Sequence, residues 1–83
     1  VSKPDWKDAP EWANWLAMDE DGMWSWFEIK PEFDPIEGDW FIDINAPGAL
    51  YSMEEYATDG PDESGIDWDH AFDTLEERSR DEG

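Results

Sequence analysis

The apolar residues of this chain are concentrated in one stretch, Trp12 to Ile44, which holds five of its seven tryptophans and three of its four phenylalanines. Nearly all of any core must come from it. At its centre stands Asp19-Glu20-Asp21-Gly22, a polar run ending in glycine between two apolar runs. Asp and Gly tolerate the positive φ of tight connections, while Trp, Phe and Ile suit a pleated surface, so the arrangement reads as a β-hairpin. In the return run, alternation puts Trp24, Trp26, Glu28 and Lys30 on one face and Met23, Ser25, Phe27 and Ile29 on the other. Both faces are partly apolar, so both require cover. A third run alternates more cleanly, with Trp40, Ile42 and Ile44 on one face and Phe41 and Asp43 on the other. A three-stranded antiparallel meander over about residues 14–19, 23–30 and 39–44 is the most economical arrangement.

The segments around these strands carry their own signals. Val1 to Lys7 is short and polar and reads as a loosely held arm. Asp8-Ala9-Pro10-Glu11 has the form of a helix start, so a helix through Trp12, Trp15 and Leu16 competes with an early strand. The reading adopted is a bend or brief helical turn near Trp12, then a strand from about Asn14. Pro31 ends the second strand, and Asn45-Ala46-Pro47-Gly48 closes the third. Ser52-Met53-Glu54-Glu55 is a capping box that predicts a short helix over about 53–58, stopped by Gly60-Pro61. From Asp67 the period turns helical: Trp68, Ala71, Phe72 and Leu75 fall at i, i+3, i+4 and i+7, predicting a C-terminal helix over about 68–78 docked on the sheet. The expected class is α+β, in one domain spanning 1–83, with 1–7 and 79–83 flexible.

Charge decides which functions are open. The chain has 24 acidic residues against 5 Lys and Arg, a formal net charge of −19. Such a balance opposes compaction by self-repulsion and repels nucleic acid and anionic membrane alike, so the natural partners are basic surfaces. A solubilising surface needs only about 2–8 net charges in a small domain, and disorder goes with few aromatics, whereas 16% of this chain is aromatic. Adaptation to a high-salt cytoplasm is a further account of acidic excess. No cysteine is present, so neither a disulfide framework nor a thiolate metal site is expected, and no run has membrane-spanning length. A cytoplasmic protein is expected.

No catalytic set stands out. A dyad of carboxylates needs an enclosed cleft, which so small a chain has little volume to build, and the single histidine, His70, reads as a solvated helix residue. No phosphate loop or nucleophile, base and orienter is visible. The Asp19–Gly22 run fails as an EF-hand loop: with Gly22 at the sixth position, Asp19, Asp21 and Glu28 match positions three, five and twelve, but the first falls on Ala17. The expectation is therefore a protein that is not an enzyme and needs no metal or cofactor.

The acidic face of the C-terminal segment is more informative. Asp69, Asp73 and Glu77 recur every four residues, a rise of about 6 Å per step on a helix. A row of anions at regular steps resembles a nucleic-acid strand in spacing and sign, while the ordinary reading is a solvated helix face. Glu76 lies beside this row, and Asp59, Asp62 and Glu63 extend it through the preceding loop. Trp24 and Trp26, flanking Ser25 on the central strand, are the candidates for exposed aromatic anchors.

The runs Ala9-Pro10-x-Trp12-Ala13, Ala17-x-Asp19-x-Asp21-Gly22-x-Trp24 and Phe27-Glu28-x-x-Pro31 together resemble a pattern in short acidic, tryptophan-rich proteins of tailed bacteriophages. The resemblance covers about the first third of the chain and implies neither an activity nor functional residues. In size and charge, without a shared motif, the chain is also similar to phage-made DNA mimics such as uracil-DNA glycosylase inhibitor and anti-restriction or anti-CRISPR proteins. The expected function is a non-catalytic inhibitor that occupies the nucleic-acid site of a basic host defence or DNA-repair protein. It would bind neither nucleic acid nor membrane directly and act as a monomer or homodimer. The alternative is a phage or halophile interaction module with a solvating acidic surface and an aromatic binding sheet.

Overall fold

A computed structural model of the protein describes residues 1–79. It contains a four-stranded antiparallel sheet and a separate two-stranded one, joined by turns and two 3-10 segments. The expected hairpin forms: β1 (Trp15–Met18) pairs with β2 (Trp24–Phe27) in the register Met18 to Trp24. Its turn is closed by the Asp19 amide donating to the Met23 carbonyl at 2.9 Å and the Gly22 amide donating to the Asp19 carbonyl at 2.9 Å. A turn from Pro10 to Ala13 precedes β1, in keeping with a bend near Trp12.

The third run does not extend this sheet. It supplies β4 (Asp39–Phe41), which pairs with β3 (Glu32–Asp34) as an independent hairpin. The places beside β1 and β2 go instead to two segments predicted as helices. The 53–58 stretch becomes β5 (Glu54–Tyr56), an outer strand on β2, and the end of the 68–78 stretch becomes β6 (Glu76–Glu77), an outer strand on β1. The order is β5-β2-β1-β6. The expected α+β class is therefore corrected to a mostly β domain, with no α-helix among the described residues.

The physical reason is competition for hydrogen bonds. A lone two-stranded hairpin leaves the outer amides and carbonyls of both strands unpaired, and short helices are marginal on their own. The capping box at Ser52 is not made; its hydroxyl donates to the Ala49 carbonyl, and the Met53 amide donates to the Glu28 carboxylate at 2.9 Å. In the C-terminal segment, like charges four residues apart weaken a helix. Only a 3-10 stretch, Trp68–Asp73, survives there, with His70 out of helical geometry. Thr74 then turns the chain, its hydroxyl accepting from the Met18 amide at 2.8 Å.

The alternation read along β2 is preserved, and each face has its own core. Leu16, Met18, Trp24 and Trp26 pack with Ala13 and Ala71 on one side. Ala17 and Phe27 pack with Trp40 on the other, so the β3–β4 hairpin roofs the second face. The N-terminal arm is tied to the first core, for Trp6 packs on Trp26 with ring centroids 5.0 Å apart. Of the expected flexible tail, 80–83 lies outside the described residues. No helix among the described residues is long and apolar enough to cross a membrane.

Gly22 stands where the hairpin turn meets the rest of the molecule. Its φ is +87°, and a Cβ there would fall 2.7 Å from the Trp68 ring and 2.9 Å from Pro61. Gly48 has a similar φ of +80° but faces open space. Gly22→Ala is expected to destabilise the fold by roughly 2–4 kcal/mol, from the left-handed backbone plus overpacking, and Gly48→Ala by only about 1–2 kcal/mol. Urea denaturation of the two variants checks this, and equal losses would refute the close-approach account.

Candidate functional site

The sheet and the β3–β4 hairpin leave a groove of about 340 Å³ between them. Ser25 and Phe27, neighbours on one face of β2, line its base, with Trp40 and Tyr56 beside them. Asp19, Asp39 and Glu54 bring three carboxylates to it, and no lining residue is cationic. Glu55, opposite Trp26 in the ladder, borders it only from the strand, its side chain alternating to the other face.

Asp19 joins the two hairpins. Its carboxylate accepts from the Trp40 amide at 2.9 Å, while the Trp40 indole donates to the neighbouring Met18 carbonyl at 2.9 Å and the Glu20 amide donates to the Gly38 carbonyl at 2.7 Å. Burial pushes the Asp19 carboxyl up to about 6; the Trp40 amide opposes this, while the charges of Asp21, Asp39 and Glu54 add to it. Like charges are thus held together around a group that water only partly reaches.

The structure distributes the nine residues predicted to meet a partner in three ways. Trp24 and Trp26 are core residues, only 2% and 3% exposed, and do not serve as surface anchors. Both faces of β2 had to be covered, and each of these side chains fills the larger core. Asp62 is likewise corrected from surface acid to buried acceptor, 1% exposed. It takes the Trp24 indole at 2.6 Å and the Ser64 amide and hydroxyl at 2.8 and 2.5 Å. Burial opposes its ionisation, but these bonds prevail and hold the carboxyl below its ordinary value.

Glu76 is engaged too, accepting from the Trp6 indole and the Lys3 ammonium, which outweigh its burial and keep its carboxyl low. The other five, Asp59, Glu63, Asp69, Asp73 and Glu77, are exposed. They do not form one helical track: Asp69 and Asp73 lie on the kinked 3-10 stretch, whereas Glu77 lies on β6. Asp73 shares a depression with Lys3, His70 and Glu76, and Asp59 borders a different one beside Ala57. His70 is exposed and 3.2 Å from Asp67.

Sequence reasoning placed Asp19 only in a turn and Glu54 and Glu55 only in a helix. It assigned the groove to none of them. The one available signal was Ser25, a small polar residue in the middle of an aromatic strand. Apolar contact surface also lies elsewhere than expected: Leu50 and Tyr51, in the turns before β5, are 75% and 88% exposed. Among the described residues no group of acidic or histidine side chains is placed to hold a metal ion. Comparison with protein-family models, curated proteins and solved structures finds no match to this chain.

Two outcomes test the roles of the buried acids. The folded-state pKa of Asp19 lies above its ordinary 3.8, so its proton-linked stability is complete below that value and is lost as pH rises through about 6. Asp19→Asn, which keeps an acceptor for Trp40, should raise the thermal midpoint at about pH 7.5 and reduce the gain that the natural protein shows on acidification to about pH 5. A lower midpoint in the variant at neutral pH would contradict this. Asp62 has the opposite sign: its stabilisation is present above 3.8 and lost as pH falls through its lowered folded-state value. Asp62→Ala leaves the Trp24 indole without an acceptor and is expected to cost roughly 2–3 kcal/mol at neutral pH, measured by chemical denaturation.

Proposed function

We propose that this protein is a non-catalytic acidic binding protein, phage-encoded, that occupies the basic nucleic-acid site of a host defence or DNA-repair protein. The observation that carries this reading is the excess of 24 acidic residues over 5 Lys and Arg in a folded chain. Lys3 pairs with Glu76 and Lys7 with Asp5, both at substantially exposed side chains. Neither pair reaches the groove, where the carboxylates of Asp19, Asp39 and Glu54 converge. A surface of this kind gains on meeting a partner that supplies the missing cations, and the anionic field speeds the encounter.

The acids also have a bland role. Glu54 and Glu55 stand on an outer strand, where charge discourages pairing with another sheet. That accounts for these two charges and leaves most of the net −19 unexplained. The exposed Leu50 and Tyr51 favour a second reading, an interaction module anchored by apolar contact. In that case binding would depend on these side chains and be nearly indifferent to salt.

Affinity capture from a host lysate across a salt gradient, followed by competition with duplex DNA, separates the two. The expected result is one basic nucleic-acid-binding protein retained at elevated salt, displaced by DNA, and lost with Glu54→Lys/Glu55→Lys. Retention that ignores DNA and charge reversal but disappears with Leu50→Ala/Tyr51→Ala would replace the inhibitor reading with the module.

A further inference from the structure

The groove between β5 and the β3–β4 hairpin has a feature that repulsion among acids does not explain. Ser25 is 7% exposed at the centre of β2, and its hydroxyl has no hydrogen-bond partner among the described residues. By strand alternation it shares the groove face with Phe27, and its ladder neighbours Ala17 and Tyr56 lie on the same face. No buried polar side-chain atom of the described residues lacks a partner, so this hydroxyl is not sealed in but opens on the groove it lines, where water or a ligand group meets it.

The surroundings specify the kind of group that fits. Asp39 and Glu54 offer carboxylates from opposite walls, since β4 belongs to the roofing hairpin and β5 to the main sheet. Trp40 and Tyr56 offer ring surface between them. The volume is at the small end of the range of about 300–1,000 Å³ typical of ligand sites, a size for one side chain. Anionic walls, aromatic surface and an unpaired hydroxyl acceptor suit a planar cation with several donors and an apolar stem. A guanidinium has donors in a fixed fork, stacks on aromatic rings and is weakly hydrated, whereas an ammonium is a compact, strongly hydrated charge.

We propose that this groove receives an arginine side chain of the protein's basic partner, with Asp39, Glu54 and Ser25 accepting from the guanidinium and Trp40 and Tyr56 flanking it. This rests on the reading of the protein as an acidic binder of a basic protein and names the contact at which that partner is read. Asp19 adds a consequence. Its carboxyl is raised by burial and by Asp21, Asp39 and Glu54, against the Trp40 amide, so a cation in the groove favours its ionised form. Occupancy should therefore strengthen as pH rises through about 6.

The test uses N-acetyl-arginine amide as probe, followed by NMR of the whole protein at constant ionic strength. The expected result is saturable shifts at the Ser25 and Tyr56 amides and the Trp40 indole, larger than those given by N-acetyl-lysine amide. Ser25→Ala should weaken the response roughly three- to tenfold, the scale of one ordinary hydrogen bond. Asp39→Asn/Glu54→Gln should abolish it, and Asp69→Asn/Asp73→Asn should leave it unchanged. Shifts spread over all acidic segments, or matched by sodium chloride, would mean general screening and overturn the proposal. A stronger response to spermidine would overturn it in favour of a polyamine site. If a captured basic partner binds Asp39→Asn/Glu54→Gln as well as the natural protein, this inference falls while the inhibitor reading stands. If no basic partner withstands salt, that reading falls, and the NMR result still decides the groove's preference.

Discussion

The β1–β2 hairpin carries large apolar side chains on both faces, and the rest of the molecule is arranged to keep water off them. An antiparallel sheet with one wet face needs a single cover, but this one needs two. The first is assembled from the N-terminal turn, the 3-10 stretch after Trp68 and the loop through Ile66. The second is the β3–β4 hairpin, brought in by Trp40, whose indole and amide both bond to the end of the first hairpin. Phe33 reaches both sides, packing on Trp40 at 5.2 Å and on Phe72 at 6.2 Å. Large aromatic rings let so few residues cover so much surface.

Tryptophan brings a second requirement, because a buried indole N–H needs an acceptor. In a chain so rich in acids the acceptor is often a carboxylate. Trp24 donates to Asp62 and Trp6 to Glu76, while Trp40 and Trp68 use backbone carbonyls. Two acids are thereby turned from surface charge into structure. Arg78 has a similar structural part: its guanidinium donates to the Pro10 and Ala13 carbonyls at 3.0 and 2.9 Å, fastening the segment after β6 to the turn before β1. The cations are thus partly committed to holding the fold, which leaves the remaining carboxylates to solvent or to a partner. The groove is where that excess is most confined, since Asp19 must stay near Trp40 to hold the hairpins together.

Much of the central hairpin was legible from the residues alone. The turn at Asp19–Gly22, the alternation of Trp24 and Trp26 against Ser25 and Phe27, and the need to cover both faces are local consequences of side-chain type and period-two geometry. The flanks were not legible in the same way. Ser52–Glu55 has a helix-start pattern and Trp68–Leu75 a helical period, yet both segments lie beside open strands whose hydrogen bonds outweigh a weak local preference. The groove was hidden for the same reason, since its acids come from a turn, a second hairpin and a segment that was expected to be helical.

The sequence by itself determined that a tryptophan-rich hairpin would form and that the surface would be strongly anionic, because both depend on residue identity and nearest-neighbour spacing. Only the tertiary structure decided which acids are surface and which are scaffold. Asp62, Glu63 and Asp59 are indistinguishable as letters in one polar loop, but only Asp62 arrives beneath the Trp24 indole. It decided equally that Glu54 and Asp39 face one groove across a gap of fifteen residues in the chain. Long-range placement of that kind depends on how the two sheets pack, and no local pattern of residues encodes it.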